Sequence, residues 1–311
     1  MAKVLVTGGT GLVGNAIRKY IETKYSEHEC IAIGSEGCDL TYENDVCRVF
    51  GNIEPDYVIH AAAKVGGIGL NLSSPAKQYF ENSMMNNNVI HHSWLNNVNR
   101  IVAFSSICAM PHGLARPYCE WDLHKGEPHE AHASYAYAKR MVPVMCEAYM
   151  KQYPDFEACT VIPGNIFGKH DNYHLEDGHV VPMLIHKAYL ARQEGKPLEV
   201  WGDGQSYREF IYAPDLARIC VDLLFREEKM PHRLIVSSRF ETKLSDIAHI
   251  IADYFGVKVE YDITKPNGQR HRPTNTSLLE KEFSDHRDMD LKVALKVSCK
   301  WFEENYKEAR K

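Results

Sequence analysis

The sequence lacks the usual features of a membrane, zinc or nucleic-acid-binding protein. No apolar run approaches the roughly 20 residues that span a bilayer. No Cys-x-x-Cys pair signals zinc or dithiol chemistry, and a net charge of −5 gives no reason to expect nucleic acid or an anionic membrane as a partner. Nine cysteines without framework spacing predict free thiols in a reducing compartment. The opening stretch MAKVLVTGGTG enters a strand and a glycine turn directly, unlike a signal peptide, so we expect a cytoplasmic protein.

The chain instead alternates short apolar runs with longer helical stretches. Nearly uninterrupted apolar runs, typical of strands covered on both faces, occur at 3–7, 30–34, 57–62, 100–105 and 159–163. Segments long enough for crossover helices lie between them, at about 12–24, 77–97 and 134–152. This order predicts an α/β fold with a doubly wound parallel sheet.

Beyond about residue 164 the pattern changes. The stretch 198–212 has the pattern of a hairpin or paired strands, and 233–238 that of one more buried strand. An amphipathic helix is predicted at 243–256, and another in the tail at 291–311. Because no linker, repeat or low-complexity block separates this part, we expect a cap folded onto the first region rather than an independent module.

The stretch VTGGTGLVG follows the first strand and opens a helix, with Gly8, Gly11 and Gly14 at three-residue steps. Glycines permit a tight turn and close backbone approach, and a helix N-terminus attracts pyrophosphate. A glycine pattern alone is weak evidence, but here the preceding strand and following helix supply the required context. The sequence therefore predicts a dinucleotide site.

The residues after the second predicted strand do not decide between NAD and NADP. An acidic residue there would bind the ribose of NAD, whereas a hydroxyl such as that of Ser35 suits the 2′-phosphate of NADP. Glu36 opposes a phosphate unless it points away. The residues alone leave the two cofactors nearly even.

A tyrosine and a lysine four residues apart, Tyr135 and Lys139, are predicted on one helix face. An ammonium beside the phenol would lower the pKa of the tyrosine towards use as an acid or base. The spacing itself is uninformative, since it recurs at Tyr20, Tyr254 and Tyr261. Only Tyr135 follows a serine, Ser106, at the carboxyl end of a central strand, where open α/β sheets bind ligands. We expect the three residues to bind a carbonyl oxygen and the nicotinamide ribose.

Two further residues have competing interpretations. Cys108 in SSICAMP is either a small packing residue, as most free cysteines are, or a reactive thiol placed beside Ser106. His179 is one of sixteen histidines, and a metal site is its alternative because other ligand types precede it, at His170, Asp171, His174, Glu176 and Asp177. Their spacing matches no tight ligand set, so we predict no metal.

Several stretches together resemble the extended short-chain dehydrogenase/reductase family: HAAAKVGG, NSMMNNNVIH, SYAYAKRM, VIPGNIFGKHDNY, GHVVPMLIHK and VWGDGQSYREFIY. The resemblance spans essentially the whole chain, and within the family it is to bifunctional epimerase/reductases of GDP-4-keto-6-deoxy-D-mannose. It implies NADPH as cofactor and a homodimer paired through the two long helices. It also implies a dinucleotide-binding domain of residues 1–163 with a return at about 209–240, and a smaller α/β substrate-binding cap of residues 164–208 and 241–311.

The resemblance also assigns site residues. It implies cofactor contacts by Gly8, Gly9, Thr10, Gly11, Leu12, Val13, Gly14, Ser35, Asp39, Leu40, Ala61, Ala62, Ala63, Ser105, Tyr135, Lys139, Pro163, Asn165, Ile166 and His179. It implies substrate contacts by Ser106, Asn165, Lys187, Trp201, Arg208 and Asn267, with the basic pair Lys187 and Arg208 meeting the diphosphate.

The chemistry of a 4-keto sugar suggests roles for the remaining groups. Carbons C3 and C5 flank the carbonyl, so inversion at each needs a base on one face, an acid on the other and stabilisation of the enolate oxygen. Our hypothesis is that Cys108 removes the protons and His179 returns them. Ser106 and Tyr135 would hold the C4 oxygen, which Tyr135 protonates during reduction.

The sequence departs from the family pattern at Gly164, where threonine is usual, at Lys169, where proline is common, and at Met110, where an aromatic residue is usual. Glu36 and Asn267 also differ from the family. These departures leave open a reductase or epimerase of another nucleotide 4-keto sugar, such as one in GDP-colitose synthesis. A non-catalytic dinucleotide sensor is a further alternative, which the joint presence of Ser106, Tyr135 and Lys139 opposes.

Overall fold

The computed structural model of the protein describes residues 1–265 and 270–311. The strands are β1 Lys3–Thr7, β2 Glu29–Ile33, β3 Tyr57–His60, β4 Arg100–Phe104, β5 Glu157–Pro163, β6 Asn165–Phe167, β7 Leu198–Trp201, β8 Tyr207–Tyr212, β9 Arg233–Val236, β10 Glu241–Lys243 and β11 Val259–Asp262. The helices are α1 Leu12–Lys24, α2 Glu43–Ile53, α3 Ile68–Ser73, α4 Pro75–Leu95, α5 Ala133–Gln152, α6 Val180–Glu194, α7 Ala213–Phe225, α8 Leu244–Phe255, α9 Ser277–Glu282 and α10 Leu291–Glu304.

A six-stranded parallel sheet in the order β2-β1-β3-β4-β5-β9 forms the centre of the molecule. Its strands are apolar along most of their length because helices cover both faces, and Val4, Ile59 and Val102 are fully buried. All five strands predicted in the first half lie in this sheet. The predicted α/β fold with a doubly wound parallel sheet is confirmed.

The second half of the chain is divided between the large sheet and two smaller ones. Helix α7 packs on α1, and β9 joins the edge of the large sheet beside β5. Strands β10, β8 and β6 form a three-stranded sheet, and β11 pairs with β7. Within the described parts of the chain, no helix has the length and apolar character needed to cross a membrane.

The expectation of a hairpin at 198–212 is wrong. Strand β7 pairs in parallel with β11, whereas β8 pairs with β6 and β10. The link between β7 and β8 contains Gly202 and Gly204 with φ of 77° and 68°, a left-handed conformation that glycine adopts readily. This link directs the chain away from β7, so β7 and β8 pair with different strands.

Candidate active site

The glycine loop between β1 and α1 is a backbone surface without room for side chains. A Cβ atom added to Gly14 would lie 2.2 Å from the Gly8 carbonyl oxygen, and one on Gly9 would lie 2.6 Å from the Ala32 Cβ. Helix α1 begins at Leu12, so the N–H groups of its first turn lack partners within the helix. An exposed row of N–H groups at a helix N-terminus fits the diphosphate of a dinucleotide.

The other predicted cofactor residues lie at the carboxyl ends of neighbouring strands. Ser35, Asp39 and Leu40 follow β2, Ala61, Ala62 and Ala63 follow β3, Ser105 follows β4, and Pro163, Asn165 and Ile166 lie at the junction of β5 and β6. Because all these strands are parallel, their ends share one edge of the sheet, where ligands of such folds bind. Contact of each residue with a cofactor stays a prediction.

A cavity of about 590 Å³ beside the glycine loop bears on cofactor preference. Its lining includes Thr10, Asn15 and Arg18 together with Glu22. Glu36 is exposed at the surface after β2, so it is free to turn away from a bound phosphate. The guanidinium of Arg18 gives the cavity a cation that suits an additional phosphate.

The residues around the end of β4 converge as predicted from the sequence. Ser106 begins a 3₁₀ turn over Ile107–Ala109, and its Oγ accepts a hydrogen bond of 3.1 Å from the backbone N–H of Cys108. The Tyr135 side chain, from the first turn of α5, hydrogen-bonds Ser106. One turn further along α5, the Lys139 Nζ donates to the Phe104 carbonyl oxygen at 2.9 Å. A hydroxyl, a thiol, a phenol and an ammonium therefore share one site.

The electrostatics of Tyr135 differ from the expectation based on spacing. Burial raises the pKa of Tyr135, the nearby Cys108 raises it further, and the hydrogen bond from Ser106 only partly opposes this rise. Lys139 is almost fully buried, and burial lowers its pKa to about 8. The prediction that Lys139 lowers the pKa of Tyr135 is wrong for the protein alone, because desolvation dominates. Tyr135 is therefore a neutral phenol with a proton to donate.

His179 lies on a different loop, at the N-terminus of α6. His179 is exposed at the surface, and desolvation by the surrounding protein, followed by the charge of Arg310, lowers the pKa of its ring. The loop is fixed from two sides, since the Gly67 N–H donates to the Asp177 carbonyl at 2.7 Å and the Tyr173 N–H donates to the Arg310 carbonyl at 2.8 Å. No group of three or more potential ligands in the described residues could hold a metal ion.

The predicted substrate residues fall into two groups. The Lys187 Nζ lies 4.6 Å from the ring centroid of Trp201, whose indole is about half exposed. Arg208 lies instead near Cys108, and burial followed by the charge of Arg272 lowers its pKa to about 10. The Asn165 side chain donates to the Glu209 carbonyl oxygen at 2.8 Å. Asn267 lies outside the described residues.

Comparison with known proteins decides the family. Residues 4–236 match the NAD dependent epimerase/dehydratase family. The chain belongs to this family. The resemblance to extended short-chain dehydrogenases/reductases is confirmed.

Individual relatives of the epimerase/dehydratase family match almost end to end. The GDP-L-fucose synthase of Dictyostelium discoideum is 40% identical over 312 residues, which cover 99% of this chain and 97% of that protein. The GDP-L-colitose synthase of Yersinia pseudotuberculosis is 31% identical over 303 residues, covering 96% and 97%. The crystal structure of a GDP-L-fucose synthetase from Naegleria fowleri bound to NADP has a TM-score of 0.93 at 31% identity, covering 100% of this chain and 95% of that one.

The structure explains one departure of this family member from the usual pattern. A Cβ atom on Gly164 would lie 2.2 Å from the Ser237 Oγ, so the space that a threonine would need is filled by Ser237. Met110 is buried beside Ile107 and packs as a core residue. Nothing in the structure explains the choice of lysine at Lys169.

Sequence reasoning missed two residues of this epimerase/dehydratase site. The Arg272 Nη2 lies 3.6 Å from the Cys108 Sγ, although 164 residues separate them in the chain. The His132 ring hydrogen-bonds the backbone of Cys108, and burial lowers its pKa to about 4. Arg272 follows β11 in a stretch without a motif, so no local signal could have identified it.

Proposed function

We propose that this protein is a GDP-L-fucose synthase, which converts GDP-4-keto-6-deoxy-D-mannose to GDP-L-fucose. The conversion comprises epimerisation at C3 and C5 and then NADPH-dependent reduction of the C4 ketone. The observation that carries the proposal is the joint placement of Ser106, Cys108 and Tyr135 at the end of β4. Full-length similarity to GDP-L-fucose synthases supports the same substrate.

Epimerisation uses groups on the two sides of the sugar ring. The Cys108 thiolate takes the proton from the carbon beside the ketone. The electron pair of the broken C–H bond forms the C=C bond of an enolate, and the π pair of the carbonyl moves onto the C4 oxygen. Ser106 and Tyr135 hold that oxygen by hydrogen bonds. His179 then gives a proton to the opposite face of the carbon, which inverts it. Cys108 then returns its proton to solvent and His179 takes one up, and the same exchange at the second carbon completes the epimerisation.

Reduction uses the same oxygen contacts. The glycine loop would hold NADPH, which when bound would supply the hydride for C4. Tyr135 donates its proton to the C4 oxygen, a role that its raised pKa supports. Lys139 would hold the nicotinamide ribose, while Lys187, Arg208, the Trp201 ring and Asn165 would contact the sugar nucleotide.

The two parts of the chain divide these tasks. We assign the cofactor to residues 1–163 with the return at 209–240, and the sugar nucleotide to residues 164–208 and 241–311. The packing of α7 on α1 and the place of β9 in the large sheet support the return.

Another GDP-4-keto sugar is the second candidate substrate. The 31% identity to a GDP-L-colitose synthase favours this alternative, but the 40% identity to a GDP-L-fucose synthase is higher. Comparing kcat/KM for the two 4-keto substrates separates the candidates. A dinucleotide sensor would oxidise NADPH with neither.

The reaction in deuterated water tests the proposed function. We expect NADPH absorbance to fall only after GDP-4-keto-6-deoxy-D-mannose is added, and the GDP-L-fucose product to carry deuterium at both C3 and C5. Each inversion replaces a carbon-bound proton with one from solvent, which mass spectrometry and NMR detect. Product that retains hydrogen at both carbons would refute the epimerase part.

We also propose that the enzyme is a homodimer paired through α4 and α5. The outer face of α5 carries an exposed apolar stripe of Tyr137, Met141 and Val144 at helical spacing, and Phe80 is exposed on α4. A single apolar face on adjacent helices suits a two-fold axis, which brings the same face of a second copy against it.

Charging this stripe is expected to separate the protomers. Met141→Glu places a carboxylate in the proposed interface and should change the mass measured by light scattering from two chains to one. Met289→Glu is the matched control, because Met289 is similarly exposed but lies outside α4 and α5. A dimeric Met141→Glu variant, or a monomeric wild-type protein, would contradict the proposed pairing.

We place the enzyme in the cytoplasm. All nine cysteines are free thiols, a state that a reducing compartment maintains.

A further inference from the structure

Cys108 contacts a cation that the proposed mechanism does not use. Arg272 reaches across from the cap, with its Nη2 3.6 Å from the Cys108 Sγ. Both side chains are half-buried, and they line a small cavity of about 10 Å³ together with His129 and His132. A guanidinium at this distance stabilises a thiolate more than a neutral thiol.

The guanidinium of Arg272 keeps its positive charge available to Cys108. Among the described residues, no carboxylate lies within ion-pair distance of it. The nearby Glu241 accepts instead from the Arg272 backbone N–H at 3.4 Å, and from the ring of His271 at 3.3 Å. Cys119 offers a contrast, since the Arg116 beside it forms a bidentate ion pair with Asp122 at 2.7 Å for each hydrogen bond.

Apart from Arg208, the other described groups that face Cys108 carry no fixed positive charge. Tyr135 from α5 is a neutral phenol, and a charged thiol raises its pKa. His132 from the turn before α5 is neutral above about pH 4, and His129 and His112 lie beyond it. Arg208 from β8 is the second cation, and a negative charge on Cys108 raises its pKa.

We propose that Arg272 is a positioning residue for epimerisation, whose guanidinium, 3.6 Å from the Cys108 Sγ, favours the thiolate that takes the sugar proton. The inference rests on the proposed function only for the use of that thiolate. Because Arg272 belongs to the proposed cap and Cys108 to the proposed dinucleotide-binding part, the two parts of the chain together form the pair of thiol and guanidinium.

The pH dependence of Cys108 alkylation tests the inference without any sugar chemistry. The full-length protein is treated with iodoacetamide between pH 5 and 10, and mass spectrometry of the Cys108 peptide gives the rate. In Arg272→Gln we expect the midpoint of the profile to rise by about one unit, since an adjacent opposite charge is worth about that much or more. The labelling rate at pH 7 should fall about tenfold, and Arg272→Lys should restore part of it.

Two controls accompany this measurement. Arg270→Gln removes a positive charge two residues away, from an exposed side chain that pairs with Asp203, and should leave the profile unchanged. Cys119 in the same samples reports any general change in thiol reactivity. Circular dichroism verifies that each variant is folded, and Arg272→Met removes the same charge if Arg272→Gln does not fold.

The kinetic readout separates this role from substrate binding. Arg272→Gln should move the pH profile of kcat for deuterium exchange at C3 and C5 to higher pH. If Arg272 instead only bound the diphosphate, KM would rise and both pH profiles would stay as in the wild type, which overturns the inference. An unmoved alkylation midpoint in folded Arg272→Gln overturns it as well. Failure of the proposed function gives a distinct result: the wild-type protein would show the expected alkylation profile of Cys108 but no deuterium exchange at C3 and C5.

Discussion

Replacing Tyr135 with phenylalanine is expected to slow NADPH oxidation by the 4-keto sugar about 10²- to 10⁴-fold, the usual contribution of a positioned general acid. The phenol is the neutral proton donor at the C4 oxygen, since burial raises its pKa. Ser106 remains in place to hold that oxygen, so deuterium should still enter at C3 and C5. Absorbance at 340 nm and NMR of the recovered sugar measure the two steps on one sample.

Tyr254→Phe is the matched control for this variant. Tyr254 also precedes a lysine by four residues, but it lies on α8, where its hydroxyl donates to Glu303 at 3.0 Å. The Tyr254→Phe variant should reduce the ketone at the wild-type rate. Wild-type NADPH oxidation by Tyr135→Phe would show that another group protonates the oxygen.

The parts of this site that could be predicted are those that local sequence determines. The apolar strands and the glycine loop have their own patterns. Ser106 follows the carboxyl end of β4, where ligands of parallel sheets bind, and Tyr135 lies in the first turn of the next long helix, α5. The glycine-rich turn, with its conformational demands at Gly8 and Gly14, is equally local. These features follow from residues close together in the chain.

The parts that could not be predicted depend on distant contacts. The raised pKa of Tyr135 follows from burial and from the nearby Cys108, neither of which a four-residue spacing specifies. Strand β7 pairs with β11 rather than with its sequence neighbour β8. Arg272 and Cys108 are 164 residues apart in the chain, so only the tertiary fold brings them into contact. Tertiary structure therefore determines the charges of a site whose residues the sequence already indicates.

Replacing Cys108 with serine is expected to impair epimerisation while sparing reduction, the opposite of the effect expected for Tyr135→Phe. A serine hydroxyl is a far weaker base than a thiolate beside Arg272, so deuterium incorporation at C3 and C5 should fall by at least about 100-fold. Ser106, Tyr135 and Lys139 remain, so a slower NADPH oxidation should persist. Its product should keep hydrogen and the original configuration at C3 and C5, which NMR distinguishes from GDP-L-fucose.

Cys119→Ser is the control, because Cys119 is also half-buried and also lies beside an arginine. Cys119 is the N-cap residue of a short 3₁₀ turn, a position that serine fills equally well. Exchange at the wild-type rate in Cys108→Ser would assign the base to another residue. Loss of exchange with retained reduction would place the two reactions on separate groups around one ketone. The phenol of Tyr135 would then protonate the C4 oxygen, and the thiolate of Cys108 would remove the protons from C3 and C5 beside it. One site could thus epimerise and reduce the same sugar without moving it.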